Sequence, residues 1–406
     1  MNSEHYFDWA ATAPCNEHIL KEALEIAIQY DGNPSSTHSI GKEARKILEA
    51  ARENCAKTLG VKQSQIFFTS GGTESDHIPL LSVLNSPAKS GRIIVSAIEH
   101  PALREECEML KKQGFDIVSV RPDKNGFISP SSILENLTSD TLFVTIMAAN
   151  NETGCIQPIY EIADMLSKAA KDKKKPHFHV DCVQAAGKIP LDLAYPGIDS
   201  AALSAHKISG PRGIGILYLA KPVNSFLVGG GQEQNIRSGT ENLFGAVAFA
   251  KCLDSFYMDK GCSLKQNDDT HVSDSTMAKT ERYKNQKAWT LDFLQKLKTL
   301  EKCRLVPELR EDFSVTTQEK FSPWVVQAAF LGISGNVMVR ALDAKGFSIS
   351  TGSACSSKKQ SRPILAAMNA SREIQDSAVR FSFGFSTTPK AMNELFEAVK
   401  EVVEAF

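Results

Sequence analysis

The chain has 406 residues, 42% of them hydrophobic, enough to bury a sizeable core and long enough for two domains. Its 46 basic and 47 acidic residues leave a net charge of −1, which argues against nucleic acid or a membrane surface as the partner and for a small substrate. Nine cysteines, an odd number without a CxxC pair, fit neither a disulfide framework nor a zinc site, so no metal is expected.

The start, MNSEHYFDWA, lacks the basic and apolar regions of a secretory signal. No later apolar run nears the roughly 18 residues of a membrane span, so a cytoplasmic protein is expected. Residues 16–30 and 41–60 have helical periodicity, with Gly32, Asn33 and Pro34 breaking the chain between them. From about 60 to 220, short apolar runs such as RIIVSAI, FDIVSV and TLFVTIMAAN alternate with amphipathic stretches such as ALREECEMLKKQG. That alternation predicts an α/β fold, a mostly parallel sheet with helices on both faces. Near 254–287 the composition turns polar and aperiodic, which predicts a mobile insertion or a boundary. A helix around 288–300, apolar segments near 323–331, a strand at AVRFSF (378–383) and a last helix over 390–405 then predict a smaller α+β domain. The expected division is a large domain over 15–253 and a small one made of 1–14 and 254–406.

The strongest chemical signal is LSAHKISGPRGIGILYL, residues 203–219. Lys207 follows an apolar strand in a small-residue turn, beside a histidine, where a lysine joined to pyridoxal 5'-phosphate (PLP) as a Schiff base would sit. Taken alone, it reads as a solvated surface lysine. Other parts of a PLP site accompany it. In HVDCVQAAGK, Asp181 ends a strand, where a carboxylate can pair with the pyridine nitrogen and keep it protonated. In FFTSGGTES, a strand runs into a Gly-rich turn and a helix start, where Gly72 and Thr73, with Ser204 and His206, suit a dianionic phosphate. Arg380 lies in a β-branched and aromatic strand, where a guanidinium fork orients a substrate carboxylate or forms a structural ion pair. His100 stands at a strand-to-helix turn before Pro101, on the catalytic edge of such a sheet. The run STGSACSSKK (350–359) has no apolar face, which predicts an accessible loop around the free thiol of Cys355, with Lys358 and Lys359 favouring its thiolate.

These residues carry a resemblance. From YFDWAATAP to VRFSFG, the chain resembles cysteine desulfurases of the NifS/IscS type, in the class V aminotransferase family of fold-type I PLP enzymes. GNPSSTH, TSGGTES, EHPA, ANNETG, HVDCVQAAGK, SAHK, GGGQEQNIRSGTEN and GSACSS occur in the family's order and at roughly its spacings. The resemblance implies the PLP-dependent transferase fold and a homodimer that takes sulfur from L-cysteine, releases alanine and leaves a persulfide on Cys355. It implies that Lys207 bears the cofactor, that Asp181 pairs with its ring nitrogen and that His100 stacks on the ring. Asn151 and Gln184 are implied to contact the ring oxygen or substrate. Thr73, Ser204 and His206 are implied to hold the phosphate, with Thr240 reaching in from the partner subunit, and Arg380 to grip the substrate carboxylate. The sulfur would serve iron–sulfur cluster or thio-cofactor synthesis, the acceptor or scaffold protein being left open.

Some positions depart from the pattern. Cys182 and Val183 stand where small residues are usual, and Cys182 is expected to be packing. FSTTPK after Gly384 lacks the arginine that close relatives carry before the aromatic, and the chain stops at EVVEAF without the extension that in the IscS branch helps dock the scaffold. Another class V PLP enzyme, such as an aminotransferase or a selenocysteine or cystine lyase, and a degenerate scaffold that kept the fold remain as alternatives.

Overall fold

The computed structural model describes residues 3–85, 90–170, 174–257, 280–352 and 362–406. Among these, seven strands form one sheet: β1 (Ile66–Thr69), β2 (Arg92–Ser96), β3 (Asp116–Val120), β4 (Thr141–Thr145), β5 (His177–Asp181), β6 (Ser200–Ser204) and β7 (Gly215–Leu219). Their order is β1-β7-β6-β5-β4-β2-β3, and only β7 runs antiparallel to its neighbours. This is the mostly parallel α/β arrangement that the alternating runs predict. β1, β6 and β7 are buried along their whole length, and β2, β4 and β5 nearly so. Their near-continuous apolar sequences follow from helices covering both faces.

Helix α1 (Glu17–Gln29) starts where the side chain of Asn16 accepts the Ile19 N–H, and α2 (Ser39–Leu59) ends where Gly60 takes φ 69°, a left-handed cap that glycine adopts without strain. Helices α3 (Gly72–Leu81) and α4 (Pro101–Lys112) follow the carboxyl ends of β1 and β2, and Pro101 occupies the first turn of α4, where its missing N–H costs nothing. A large apolar cluster from Ile66, Phe68, Val144, Val180, Leu203 and Ile216 joins this sheet to α2 and to the helix Leu243–Tyr257.

A second, antiparallel sheet of β8 (Cys303–Val306), β9 (Val325–Phe330) and β10 (Ala378–Ser382) has the order β10-β9-β8. Its core joins Phe293, Phe330, Phe381, Leu395 and Val399, and it includes Phe7 from the N-terminal segment. Phe7 is tied there by backbone bonds to Ser348 and Ser382. Each such fully buried side chain contributes about 1.5–3 kcal/mol, so the segment around Phe7 is held firmly against the smaller sheet.

The structure departs from the sequence reading around the polar stretch near 254–287. Residues 254–257 finish the helix Leu243–Tyr257, and the next helix among the described residues spans Glu281–Lys298, beginning well before 288. Thr280 caps it by accepting the Tyr283 N–H at 3.2 Å, and Tyr283 and Gln286 are buried. Polar composition hides this turn because Gln286 donates within the helix, to Thr290 Oγ1 at 2.9 Å. Residues 258–279 lie outside those described. No helix among the described residues is long and apolar enough to cross a membrane.

Candidate active site

A pocket of about 260 Å³ opens at the carboxyl ends of the parallel strands, the edge where open α/β sheets bind ligands. Gly72 and Thr73 reach it after β1, His100 after β2, Asn151 after β4, Asp181 and Gln184 at the end of β5, and Ser204, His206 and Lys207 at the end of β6. Arg380 enters from β10 of the second sheet, and Ala10 and Ala11 from the N-terminal segment. Ten of the twelve residues singled out in the sequence therefore line one cavity. Thr240 is exposed and does not line it, and Cys355 lies outside the described residues.

Lys207 closes a short helical turn after β6, and its Nζ donates to the carbonyls of Ala10 and Ala11, at 2.8 Å each. Asp181 is buried. Its Oδ1 accepts the Val183 N–H at 2.8 Å, and it has no ion pair among the described residues. Burial, and then the neighbouring Asp76 carboxylate, push its pKa up to about 7. A buried carboxylate so placed suits a cationic ring nitrogen, which would restore its ordinary ionisation.

His100 caps α4: its Nδ1 accepts the Ala102 N–H at 3.2 Å. Burial and then the Lys207 charge lower its pKa to about 4, so the ring is neutral near pH 7 and carries its proton on Nε2. His206 is held neutral in the same way, at about 3, by burial and then Lys207, with its Nδ1 3.2 Å from Thr12 Oγ1.

The α3 N-terminus meets the pocket at Gly72, whose lack of a side chain leaves room for Val183 and Ser204 beside it. A Cβ on Gly72 would lie 2.8 Å from Val183 Cγ2 and 3.6 Å from the Ser204 Cβ. The free N–H groups of that first turn, with Thr73, Ser204 and His206, form a cradle for an anion. Among the described residues, Asn151 Oδ1 is buried without a hydrogen-bond partner, as is Arg380 Nε. Such orphaned atoms in a pocket wall fit a site built for a polar ligand. The donor set thus fits PLP: a cradle for phosphate, a carboxylate for the ring nitrogen and an amine for the carbonyl carbon.

Arg380 donates from Nη1 to Asn151 O at 2.9 Å and from Nη2 to Asp8 Oδ1 at 2.7 Å. It therefore forms a structural ion pair, and it also lines the cavity. Ser350 is paired with it through the backbone, so the segment leading to Cys355 leaves from beside Arg380. Arg362, where the described chain resumes, donates to Ala378 O in the same strand at 3.2 Å. Cys182 is fully buried, outside the pocket lining, and its thiol is pushed well above the ordinary range by burial and then Asp181.

Sequence reading missed Asp76, Asp8 and the carbonyls of Ala10 and Ala11. Asp76 was accessible to it, being three residues after Thr73 and so on the same face of α3. It lines the pocket and lies 3.1 Å from His179 Nε2. Asp8 and the two alanines carried no signal, because the return of the N-terminus over the site is a tertiary event.

A family model described as aminotransferase class-V matches residues 5–395. The chain belongs to the class-V aminotransferase family, whose members depend on PLP. Among curated relatives, it is 33% identical to the cysteine desulfurase IscS of Dictyoglomus turgidum, over all of this chain and 95% of that one. It is 35% identical to the putative cysteine desulfurase IscS 1 of Bacillus subtilis, over 98% of each. Among solved structures, a NifS-like protein superposes with a TM-score of 0.84 at 31% identity, over 99% of this chain and 100% of that one. A structure described as SspA in complex with cysteine gives 0.75 at 25%, over 93% and 98%.

Proposed function

We propose that this family member is a cysteine desulfurase that takes sulfur from L-cysteine, releases L-alanine and leaves a persulfide on Cys355. The observation that carries the reading is the meeting of Lys207, Asp181 and Arg380 in one pocket, an amine, a buried carboxylate and a guanidinium drawn from both sheets. Full-length relatives that bear the desulfurase name support it.

PLP, when bound, supplies an electron sink for bonds broken next to the substrate α-carbon. Lys207 would hold its carbonyl carbon, Asp181 its ring nitrogen, and Thr73, Ser204, His206 and the α3 N-terminus its phosphate. Thr240 of a partner subunit would complete the phosphate site in a homodimer. Arg380 would orient the substrate carboxylate with its two-pronged donor. His100 presents a neutral ring whose Nε2–H would serve as a hydrogen-bond donor toward the bound cofactor or substrate.

Cys355 Sγ would attack the substrate sulfur. The Cβ–S bond breaks, an S–S bond forms on Cys355 and the carbon skeleton leaves as alanine with one proton added. Cys355 lies three residues beyond Gly352, which is packed against the Glu152 carboxylate beside Asn151. Three residues span up to about 10 Å, and Asn151, the chain neighbour of Glu152, lines the pocket. An aminotransferase would have no use for this thiol. We also read the chain as two domains, 15–253 and 1–14 with 254–406, working in the cytoplasm and passing sulfur to a protein acceptor for iron–sulfur or thio-cofactor synthesis. Purified protein loaded with PLP and given L-cysteine and a thiol reductant should release alanine and sulfide in equal amounts. Pyruvate, or no alanine at all, would overturn the reading.

A further inference from the structure

Lys188 is a buried amine that the reaction above does not use. It is 4% exposed, four residues after Gln184, and among the described residues it has no carboxylate partner. The charges facing it are cationic, Lys207 and Arg380, with His206 also nearby, and burial followed by these two pushes its pKa down to about 7. An ammonium buried only for structure would be paired with an acid, because leaving it unpaired is costly.

Its hydrogen bond shows what it does. Lys188 Nζ donates to Gln184 Oε1 at 2.9 Å, and Gln184 Nε2 donates to Ala10 O, also at 2.9 Å. The Ala10 carbonyl only accepts and Lys188, when protonated, only donates, so both ends of the amide then demand the same orientation. One N–H of Gln184 is then left without an acceptor among the described residues, in the pocket that also holds Asp181 and Lys207. Lys207 Nζ donates to the same Ala10 oxygen at 2.8 Å. The two lysines are thus linked through Gln184 and Ala10.

We propose that Lys188 is a positioning residue for the cofactor: it locks the Gln184 amide so that an N–H donor faces an oxygen of bound PLP. This rests on the PLP reading above. Without Lys188, Gln184 Oε1 is left buried and unpaired, and the amide gains a reason to turn over.

The test is PLP binding to cofactor-free protein, followed by absorbance, for wild type, Lys188→Met, Lys188→Arg, Gln184→Leu and the Lys188→Met/Gln184→Leu double variant. Lys188→Met should bind PLP about tenfold more weakly and shift the visible band of the bound cofactor, the loss expected for one hydrogen bond to a charged group. Melting of its cofactor-free form should be unchanged or higher, since methionine fills the space without a buried charge. Lys188→Arg, which keeps a cationic donor, should recover the wild-type band. The double variant should be no weaker than Gln184→Leu alone. Wild-type affinity and spectrum in Lys188→Met, or losses that multiply in the double variant, would overturn the proposal. A wild-type chain that takes up no PLP would remove both the proposal and the reading beneath it.

Discussion

The guanidinium of Arg380 already holds a carboxylate: its Nη2 lies 2.7 Å from Asp8 Oδ1. Asp8 comes from the N-terminal segment and Arg380 from β10, 372 residues later, so the first and last parts of the chain meet at the pocket wall. Asp8 fixes the plane of the guanidinium, and among the described residues Nε is buried without a hydrogen-bond partner. Arg380→Lys keeps the charge and loses the fork. It should lower kcat/KM for L-cysteine by about 10–100-fold, mostly through KM, the loss of one or two hydrogen bonds to a charged group. An unchanged KM would remove Arg380 from substrate binding.

Lys207→Ala should lose the covalent hold on PLP. Borohydride treatment followed by mass spectrometry should find the cofactor fixed to the peptide containing Lys207 in the wild type and nowhere in the variant. Fixation elsewhere in Lys207→Ala would show that another amine bears the cofactor.

Asp181 makes the cofactor-free protein sensitive to pH. Its folded pKa, about 7, lies above that of an unfolded aspartate near 3.9, so the folded state binds this proton more tightly. The resulting stabilisation is complete below about pH 4 and is lost as pH rises through 7. Asp181→Asn never carries the charge, so without PLP its melting temperature should exceed that of the wild type by an amount that grows between pH 4 and 7 and then levels off. A shift of a few °C is expected for a chain of this size. With PLP present the order should reverse, because the ring nitrogen loses its partner. A melting difference independent of pH would mean that Asp181 is not the titrating group.

Cys355→Ala and Cys182→Ala should behave oppositely. Cys182 is buried with its thiol held protonated, so its alanine variant should keep activity within about twofold. Cys355→Ala should still take up PLP and L-cysteine and lose nearly all persulfide formation. After brief cysteine treatment, mass spectrometry should place one added sulfur on the wild-type peptide containing Cys355. Sulfide release at the wild-type rate by Cys355→Ala would exclude it as the acceptor.

Sedimentation should give twice the chain mass. Thr240 is exposed and away from the pocket of its own chain, so its proposed phosphate contact requires a second subunit. Full activity in a monomer would remove that contact.

Much of the site was legible in the sequence because each part is a local strand-to-loop junction. An apolar run ending in Asp181, another ending before His206 and Lys207, and a third running into Gly71 and Gly72 each declare a strand end where a ligand can meet backbone N–H groups. The alternation of such runs with amphipathic segments determined the parallel sheet that brings those ends together. Long-range contacts were not legible. The helix beginning at Glu281 was hidden by a polar sequence whose burial depends on Thr290 and Pro323. Only the tertiary structure decided that Asp8 would pair with Arg380 and that Ala10 would accept from both Gln184 and Lys207. It also decided that Lys188 would be buried among cations rather than solvated on a turn. Periodicity records which face of a segment is buried, but it carries no information on which distant segment does the burying.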